Sequence, residues 1–235
     1  MSGKRRGGHP DAGGGGMNQP IGRPKAERKT RRRTEPKEVR RTQLIDATIN
    51  SIAKHGIAGT TLSTVTEDAG LSLGIVNFHF ASKQKLLEET LLYLAREHHE
   101  HWKKAHDDAG LSASEKLLAI VDAHFHPRIC TRKKLAVWFA FYGEVGRRAV
   151  YRRLVDAIDV ERYELSADLC RQLAAAGEHA GPPPELVART LEALYDGLSL
   201  NILMYPGIFT RERAKAQVRA YLASVFPAQF AMPEF

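Results

Sequence analysis

The spacing of apolar and polar residues predicts a chain made of helices. Over residues 38–56, apolar side chains recur every three or four positions, so they share one face of a helix while the charged residues lie elsewhere. Two shorter segments with helical spacing follow, Leu62–Ala69 and Leu73–His79. Gly70 lies between them and Ser72 can cap the second, because glycine is favoured after a helix and a hydroxyl before one.

Six more helices are predicted beyond this region. One begins at Ser82 and carries an apolar stripe that leads into a polar stretch through His106. The other five are expected near residues 112–126, 131–146, 148–176, 184–204 and 210–225. No segment alternates apolar and polar residues over the length that a strand needs, and no internal repeat is visible. The predicted fold class is therefore all-α.

The first three helices have the order of a helix-turn-helix unit. Two short helices that are joined by a tight turn and packed on a longer one place the second short helix in the DNA major groove. The residues expected to form a small core are Val65, Ala69, Leu71, Ile75, Val76 and Phe80. The residues left to face DNA are Ser63, Thr64, Ser72, Leu73, Gly74, Asn77, Phe78 and His79.

The chemistry of these residues suits contacts with a duplex. The Asn77 amide can bridge adenine N6 and N7, and Leu73 can touch a thymine methyl group. The hydroxyl of Ser72 or Thr61 can bind a phosphate. Arg41, on the polar side of the first helix, joins the predicted DNA-binding residues. We therefore predict a DNA-binding domain over residues 38–83 and a helical body over residues 84–230.

Composition narrows the class of protein. The chain has 235 residues, of which 43% are hydrophobic, and its longest apolar run, residues 135–142, is far shorter than the ~20 residues that cross a bilayer. The N-terminus lacks the apolar core of a secretory signal, so a cytoplasmic protein without a membrane partner is expected. Cys130 and Cys170 are too few for a disulfide framework and lack metal-ligand spacing, so we interpret them as buried, unreactive thiols.

Positive charge is concentrated at the N-terminus. The formal net charge is +8, whereas residues 1–41 alone carry +9, from 13 Lys and Arg against 4 Asp and Glu. Residues 1–37 are rich in glycine and proline and poor in apolar side chains, which predicts a disordered basic tail. Within it, residues 21–25 resemble the Gly-Arg-Pro core of an AT-hook, with Arg23 as a candidate minor-groove contact. General attraction to phosphate, a solvated leader or a misassigned start are the alternatives.

One set of motifs resembles the signature of the tetracycline-repressor (TetR) family of bacterial regulators. The positions that match in type and spacing are Thr61-Leu62, Ala69-Gly70-Leu71-Ser72, Gly74, His79-Phe80 and Lys83. The resemblance implies a three-helix DNA-binding domain, a helical ligand-binding and dimerisation domain, and a phosphate contact from Lys83, where the amides of a helix N-terminus also favour an anion. The family usually has tyrosine where this chain has Asn77, so the aromatic phosphate contact of the family does not carry over directly.

Within that family, the chain is similar to the BetI-like repressors of the betaine pathway, which respond to choline. The similarity lies in residues 43–48, 74–76, 86–88, 119–121, 138–141, 151–154 and 196–198. It implies a repressor that controls glycine betaine synthesis or uptake. Bodies of this type serve different effectors, so a regulator of another pathway with an unrelated ligand is the alternative.

Aromatic residues are concentrated on one predicted helix of the body. Trp138, Phe141 and Tyr142 share a face, and the carboxylate of Glu144 follows them. Such rings can form a cage for a quaternary ammonium such as choline through cation-π attraction, worth ~0.5 to 2 kcal/mol per contact. The further rings that could contribute are Tyr163, Tyr195 and Tyr205. An ordinary aromatic core is the alternative.

The last two predicted helices carry apolar stripes. Their members are Leu186, Val187, Thr190, Leu191, Leu194, Leu198, Ile202, Val218, Tyr221, Leu222 and Phe226. The TetR resemblance implies that these stripes pair with their copies in a homodimer, and a twofold dimer matches a palindromic double-stranded operator. A core within one chain is the alternative. The expected mechanism is a population shift, in which the effector favours a different tilt of the fourth helix and moves the paired domains out of register.

Other functions find little support in the sequence. His98, His99, His101 and His106 invite a metal site, but their spacing does not converge and the surrounding charges indicate a solvated helix, so no metal or other cofactor is predicted. The chain lacks a Gly-x-Ser-x-Gly elbow, a phosphate-binding loop and a His-Glu-x-x-His helix, so no enzyme activity is predicted. An architectural protein that only coats DNA would leave the apolar stripes of the body unexplained.

Overall fold

Nine α-helices make up most of residues 36–177 and 180–233, which are the residues that the structure, a computed structural model, describes. The helices are α1 (Lys37–Gly59), α2 (Leu62–Ala69), α3 (Leu73–His79), α4 (Lys83–His106), α5 (Ala113–His124), α6 (Arg132–Gly143), α7 (Arg148–Ala175), α8 (Pro184–Met204) and α9 (Arg211–Val225). A short 3-10 helix, Val145–Arg147, joins α6 to α7. No strand occurs in these two ranges, and the all-α fold class is confirmed. None of the helices described is both long and apolar enough to span a bilayer.

Local sequence signals predict several helix ends, but two of those predictions are wrong, because Gly56 does not end α1 and Ser72 precedes α3 without a capping hydrogen bond from its side chain. The Ser82 hydroxyl accepts a hydrogen bond from the Lys85 N–H at 3.1 Å and so caps α4. Gly56 interrupts α1 rather than ending it, because its φ of 68° is left-handed and the helix resumes through Gly59. A Cβ at Gly56 would meet no heavy atom within 4 Å, so the backbone conformation, and not lack of space, requires glycine there.

Gly70 forms the turn of the helix-turn-helix unit. Its φ of 62° is left-handed, and the N–H of the next residue closes a 3.0 Å hydrogen bond onto α2. The turn packs α2 and α3 together over Val65, Val76 and Phe80, none of which is more than 2% exposed. These three residues are the centre of the small core that the sequence predicts.

Helix α4 belongs to two apolar clusters. Its first half, with Leu86 and Leu91, packs into a cluster with α1, α2, α3 and parts of α6 and α7. Its second half contributes Trp102 to a cluster formed mainly by α5, α7, α8 and α9. Helix α1 also packs directly against α6. Helices α1, α2 and α3 are therefore packed on the body and are not separated from it by an extended linker.

The apolar stripes of α8 and α9 divide between interior and surface. The buried members are Val187, Leu191, Leu198, Ile202, Val218, Leu222 and Phe226. These residues form the core of a single chain, the alternative that the pattern left open, and not the predicted subunit interface, because α8 packs against α6, α7 and α9. Leu186, Leu200 and Met204 of α8 remain exposed.

Candidate DNA-binding face and effector cavity

The start of α2 is fixed by a reciprocal cap. The Thr64 N–H donates to the Thr61 hydroxyl at 3.1 Å, and the Thr61 N–H donates to the Thr64 hydroxyl at 2.9 Å. The Thr64 hydroxyl also lies 2.9 Å from the Ser51 hydroxyl on α1, so it is engaged within the domain. Thr61 and Ser63 are exposed at this end of α2, and the Thr61 hydroxyl, which accepts the capping bond, can still donate its hydrogen to a phosphate.

One face of α3 is exposed and partly apolar. Ser72, Leu73, Gly74, Asn77 and Phe78 are all exposed, and Leu73 and Gly74 lie one turn from Asn77 and Phe78 on the same side of the helix. Leu73 is 48% exposed and Phe78 is 75% exposed. Apolar side chains held in water on a short helix indicate a surface that is covered by a partner.

Gly74 gives this face a flat centre. A Cβ built on Gly74 would meet only the Ser72 hydroxyl, at 3.9 Å, so packing within the chain does not require glycine. Its φ is not left-handed, so backbone conformation does not require glycine either. The absence of a side chain instead leaves room for another molecule to approach the α3 backbone closely.

His79 lies at the edge of this face and is turned towards α1. Its Nδ1 is buried and has no hydrogen-bond partner among the described residues. Burial lowers the pKa of the ring, and the nearby charges of Lys37 and Arg41 lower it further. His79 is therefore a neutral imidazole packed edge-on against Phe78, with ring centroids 5.1 Å apart.

Two predicted phosphate contacts are engaged within the chain. The Arg41 guanidinium pairs with the Glu89 carboxylate at 2.6 Å and lies 4.8 Å from the centre of the Phe80 ring. The Lys83 ammonium donates to the Ile57 carbonyl at 3.0 Å. Lys83 retains further donors for a phosphate, whereas Arg41 would have to exchange Glu89 for one. Arg23 lies outside the described residues.

A small cavity lies in the body between α4, α5, α6, α7 and α8. Its volume is about 60 Å³, which accommodates about four water molecules or a ligand of a few heavy atoms. The residues that line it are His98, His124, Ile129, Leu135, Trp138, Phe139, Tyr142, Asp159, Arg162, Asp196 and Ser199. Aromatic rings, carboxylates and neutral polar groups thus meet around one space.

The aromatic wall comes from α6. Trp138 and Tyr142 have ring centroids 6.1 Å apart, and Phe139 lies 6.0 Å from Tyr142, nearly perpendicular to it. Phe141 does not reach this cavity, because it points to the other side of α6 and packs edge-on against Tyr151 at 4.7 Å. It does line an adjoining space of about 50 Å³, which shares Trp138 and Tyr142 with the first. Phe139 is not among the residues predicted from the sequence, because both sides of α6 are packed and spacing alone does not say which side holds the cavity.

The other predicted rings stay outside the cavity. Tyr195 is 1% exposed and stacks behind the wall on His124, with ring centroids 4.5 Å apart. Tyr163 lies beneath the Arg189 guanidinium, 3.8 Å from its ring centre. Tyr205 is exposed at the end of α8, and the carboxylate of Glu144 does not line the cavity.

Negative charge on α7 and α8 faces the aromatic wall. Arg162 pairs with Glu192 through both carboxylate oxygens, with its Nε 3.1 and 3.2 Å from them, and its Nη1 lies 3.4 Å from Asp159. Asp196 adds a third carboxylate. Burial raises the pKa of both Asp159 and Asp196. Two of the three carboxylates, Asp159 and Asp196, line the cavity, while Glu192 offsets the charge of the Arg162 guanidinium, and this balance favours a cation.

Two histidines complete the wall, and the burial of His98 contradicts the interpretation of a solvated helix. His98 on α4 is buried and packs edge-on against His124, with ring centroids 4.9 Å apart. Burial lowers the pKa of His98 well below its usual value and that of His124 to about 3, so both are neutral. The signal for burial was the continued apolar stripe of α4, in which Leu94, His98 and Trp102 are each four residues apart. Within the described ranges, no three His, Cys, Asp or Glu side chains are grouped to hold a metal ion.

Comparisons with known proteins match both parts of the chain. The family described as "Bacterial regulatory proteins, tetR family" matches residues 44–90, and "BetI-type transcriptional repressor, C-terminal" matches residues 113–227. The HTH-type transcriptional regulator BetI of Stenotrophomonas maltophilia is 34% identical over 184 residues, which cover 78% of this chain and 91% of that protein. BetI of Paraburkholderia xenovorans is 35% identical over 165 residues, 70% of this chain and 82% of that protein.

Solved structures share the same arrangement of helices. A transcriptional regulator from Pseudomonas aeruginosa has a TM-score of 0.70 and 30% identity, covering 83% of this chain and 96% of that one. A regulator from Saccharomonospora viridis, solved in complex with choline, has a TM-score of 0.65 and 20% identity over 79% of this chain and 96% of that one. FadR of Bacillus subtilis, solved with stearoyl-CoA, has a TM-score of 0.64 and 16% identity over 82% of this chain and 99% of that one. At such identities the last two show the fold alone.

Proposed function

Because this chain belongs to the TetR family of bacterial transcriptional regulators and has a BetI-type C-terminal domain, we propose that it is a dimeric repressor that a small organic cation such as choline releases from a palindromic operator. It is a transcriptional regulator and not an enzyme. In this proposal residues 38–83 bind DNA in the cytoplasm, residues 84–230 bind the effector and the second subunit, and the regulated genes serve glycine betaine synthesis or uptake.

The DNA-binding part of the proposal is supported by the exposed face of α3. Asn77 offers an amide to adenine, while Leu73 and Phe78 offer apolar surface to thymine methyl groups. Thr61 and Ser63, at the start of α2, flank this face with hydroxyls suited to phosphate. The face therefore combines side chains that can contact DNA bases with hydroxyls that can position the protein on the DNA phosphates.

A stripe along α8 supports the dimer. Leu186, Ala193, Gly197, Leu200 and Met204 are exposed and lie three, four or seven residues apart, which places them on one side of the helix. A Cβ on Gly197 would meet nothing within 4 Å, so nothing inside the chain requires glycine in mid-helix, where it disfavours the helix by ~1 kcal/mol. A second α8 that approaches this stripe closely would account for both its apolar residues and its glycine.

The cavity supports a small cation as effector. Aromatic rings from α6 attract a quaternary ammonium, and the carboxylates of Asp159 and Asp196 provide the opposite charge. A volume of about 60 Å³ is far below the ~300 to 1,000 Å³ typical of pockets for drug-sized ligands, so a long acyl ligand does not fit this space. Choline has the charge that this lining favours, and it is the ligand of the Saccharomonospora viridis regulator. It is larger than this cavity alone, so the proposal requires the cavity to open into the adjoining space of about 50 Å³ behind Trp138 and Tyr142.

The packing of α6 and α4 suggests how binding reaches the DNA. Helix α6 carries Trp138 and Tyr142 in the cavity wall and packs against α1 on its other side. The Lys133 ammonium at the start of α6 donates to Asn50 of α1 at 2.8 Å. Because α4 also spans both apolar clusters, a cation that shifts α6 or tilts α4 changes the position of α3. Binding one state ~100-fold more tightly would supply about 2.7 kcal/mol for this shift.

The test is binding of the protein to DNA from its own upstream region. Labelled DNA is titrated by fluorescence anisotropy with excess random competitor, and choline chloride is compared with sodium chloride at equal ionic strength, because phosphate contacts make affinity depend on salt. The proposal predicts competitor-resistant binding that choline, but not sodium, weakens. Specific binding that choline leaves unchanged would refute the effector, and binding that competitor abolishes at every upstream fragment would refute the specific repressor.

A further inference from the structure

One wall of the effector cavity is polar but uncharged. It consists of His98 on α4, His124 on α5 and Ser199 on α8. The His124 Nε2 lies 3.2 Å from the Ser199 hydroxyl, and the ring is held by stacking on Tyr195. His124 and Ser199 are thus paired with each other and fixed in place.

Two ring nitrogens of this wall are buried without a hydrogen-bond partner among the described residues, the His124 Nδ1 and the His98 Nε2. Because His124 is already paired through its Nε2, the stronger candidate for a ligand contact is His98. It is only 8% exposed, yet its Nε2 has no hydrogen-bond partner among the described residues. A buried ring nitrogen without a partner is unfavourable, so such a group needs either a structural explanation or a ligand atom. His98 lines the cavity, and an effector atom is the partner that the site can offer.

Burial and the neighbouring positive groups keep the His98 ring neutral. Burial is the largest cause of its lowered pKa, followed by His124 of α5, Arg162 of α7, and His101 and His99 of α4. A neutral imidazole donates from one nitrogen and accepts at the other, which suits a hydroxyl group. It offers no positive charge to a carboxylate.

The remaining charge in the cavity excludes an anionic group as well. The guanidinium of Arg162 is already paired with Glu192 and Asp159. A ligand carboxylate would therefore meet Asp159 and Asp196 without an unpaired cation to offset them. The cavity accepts a cation whose other end is polar and uncharged.

We propose that His98 forms a hydrogen bond with the uncharged polar end of the effector and thereby selects a quaternary ammonium alcohol over one that lacks the hydroxyl or carries a carboxylate. The inference rests on the proposed cation site in the same cavity. A site built to hydrogen-bond a hydroxyl rejects the analogue without it, because a buried polar group is then left unpaired.

Three probes of one size class test the selection. Choline, tetramethylammonium and glycine betaine are titrated into the full chain, and the tryptophan fluorescence is followed, since Trp138 lies in the wall and Trp102 is the second of only two tryptophans. We expect choline to bind about 3- to 10-fold more tightly than tetramethylammonium, the range of one net hydrogen bond. Glycine betaine is expected to bind most weakly.

Variants assign the selection to His98. His98→Leu should weaken choline to the affinity of tetramethylammonium without changing tetramethylammonium itself, and His98→Gln, which retains a donor and an acceptor, should restore part of the preference. The matched control is His101→Leu, because His101 lies on the same helix, stacks on His126 and does not line the cavity. Circular dichroism melts identify a variant that fails to fold. If His98→Leu does not fold, His98→Gln alone decides: a reduced choline preference supports the role of His98, and an unchanged preference refutes it.

The outcomes separate the two proposals. An unchanged preference in His98→Leu, or tight binding of glycine betaine to the unsubstituted chain, would overturn the role of His98 while leaving the cation site intact. Binding of none of the three probes would overturn the cation site itself and this inference with it.

Discussion

Replacing Phe78 by alanine should weaken operator binding without weakening the fold. Phe78 is 75% exposed on α3, so removing its ring loses little packing and should change the free energy of unfolding by no more than ~0.5 kcal/mol. Full burial of a phenylalanine side chain is worth about 1.5 to 3 kcal/mol, and covering the exposed three-quarters on DNA corresponds to about 1 to 2 kcal/mol. Because the proposed dimer places two such rings on one operator, the loss is about 2 to 4 kcal/mol, and the operator affinity should fall about 30- to 1,000-fold.

Anisotropy at fixed salt measures the affinity of Phe78→Ala for the operator, and thermal melts measure its stability. Met232→Ala is the matched control, because Met232 is 61% exposed and lies outside α3. The control should bind DNA as the unsubstituted chain does. Unchanged affinity in Phe78→Ala would refute the assignment of this face to DNA, and a loss of stability above ~1 kcal/mol would show that the ring acts within the fold.

Three further predictions test the dimer, the turn and the cavity. Gly197→Leu should separate the subunits in sedimentation velocity while the helical signal persists; a dimer that persists would refute the α8 interface. Gly70→Ala should lower the free energy of unfolding by about 1 to 2 kcal/mol in urea, because φ is 62°, whereas Gly143→Ala, which has no such φ, should not. Choline should bind best when Asp159 and Asp196 are ionised, and burial raises the pKa values of both. The affinity for choline should therefore fall as pH is lowered from about 7 towards about 4.5. An affinity that does not change with pH in folded protein would refute the role of these carboxylates in binding.

The helices could be predicted from the sequence because their signals are local. Thr61 and Ser82 cap the helices that follow them, and Gly70 ends α2, through contacts within three residues along the chain. The exposed residues of α3 follow from the same local geometry, since a short helix packed on one side exposes the other. Such features do not depend on the rest of the fold.

The cavity could be predicted only in part, because it joins side chains that are far apart in sequence. The pair Arg162 and Glu192 and the contact between His98 and His124 link different helices, and no local pattern indicates them. Aromatic spacing on α6 identified Trp138 and Tyr142 but not Phe139. The stripes of α8 and α9 were ambiguous for a related reason, because an apolar face has the same pattern whether it packs within one chain or between two.

Reciprocity between choline and operator tests the central claim most directly. If choline releases the operator by favouring a different state of the dimer, the operator must weaken choline binding by the same factor. Calorimetric titration of choline into the free dimer and into the dimer saturated with operator measures that factor. We predict equal weakening in the two directions, on the order of 100-fold. Equal choline affinity with and without operator would contradict the account, whatever the affinity of the protein for DNA.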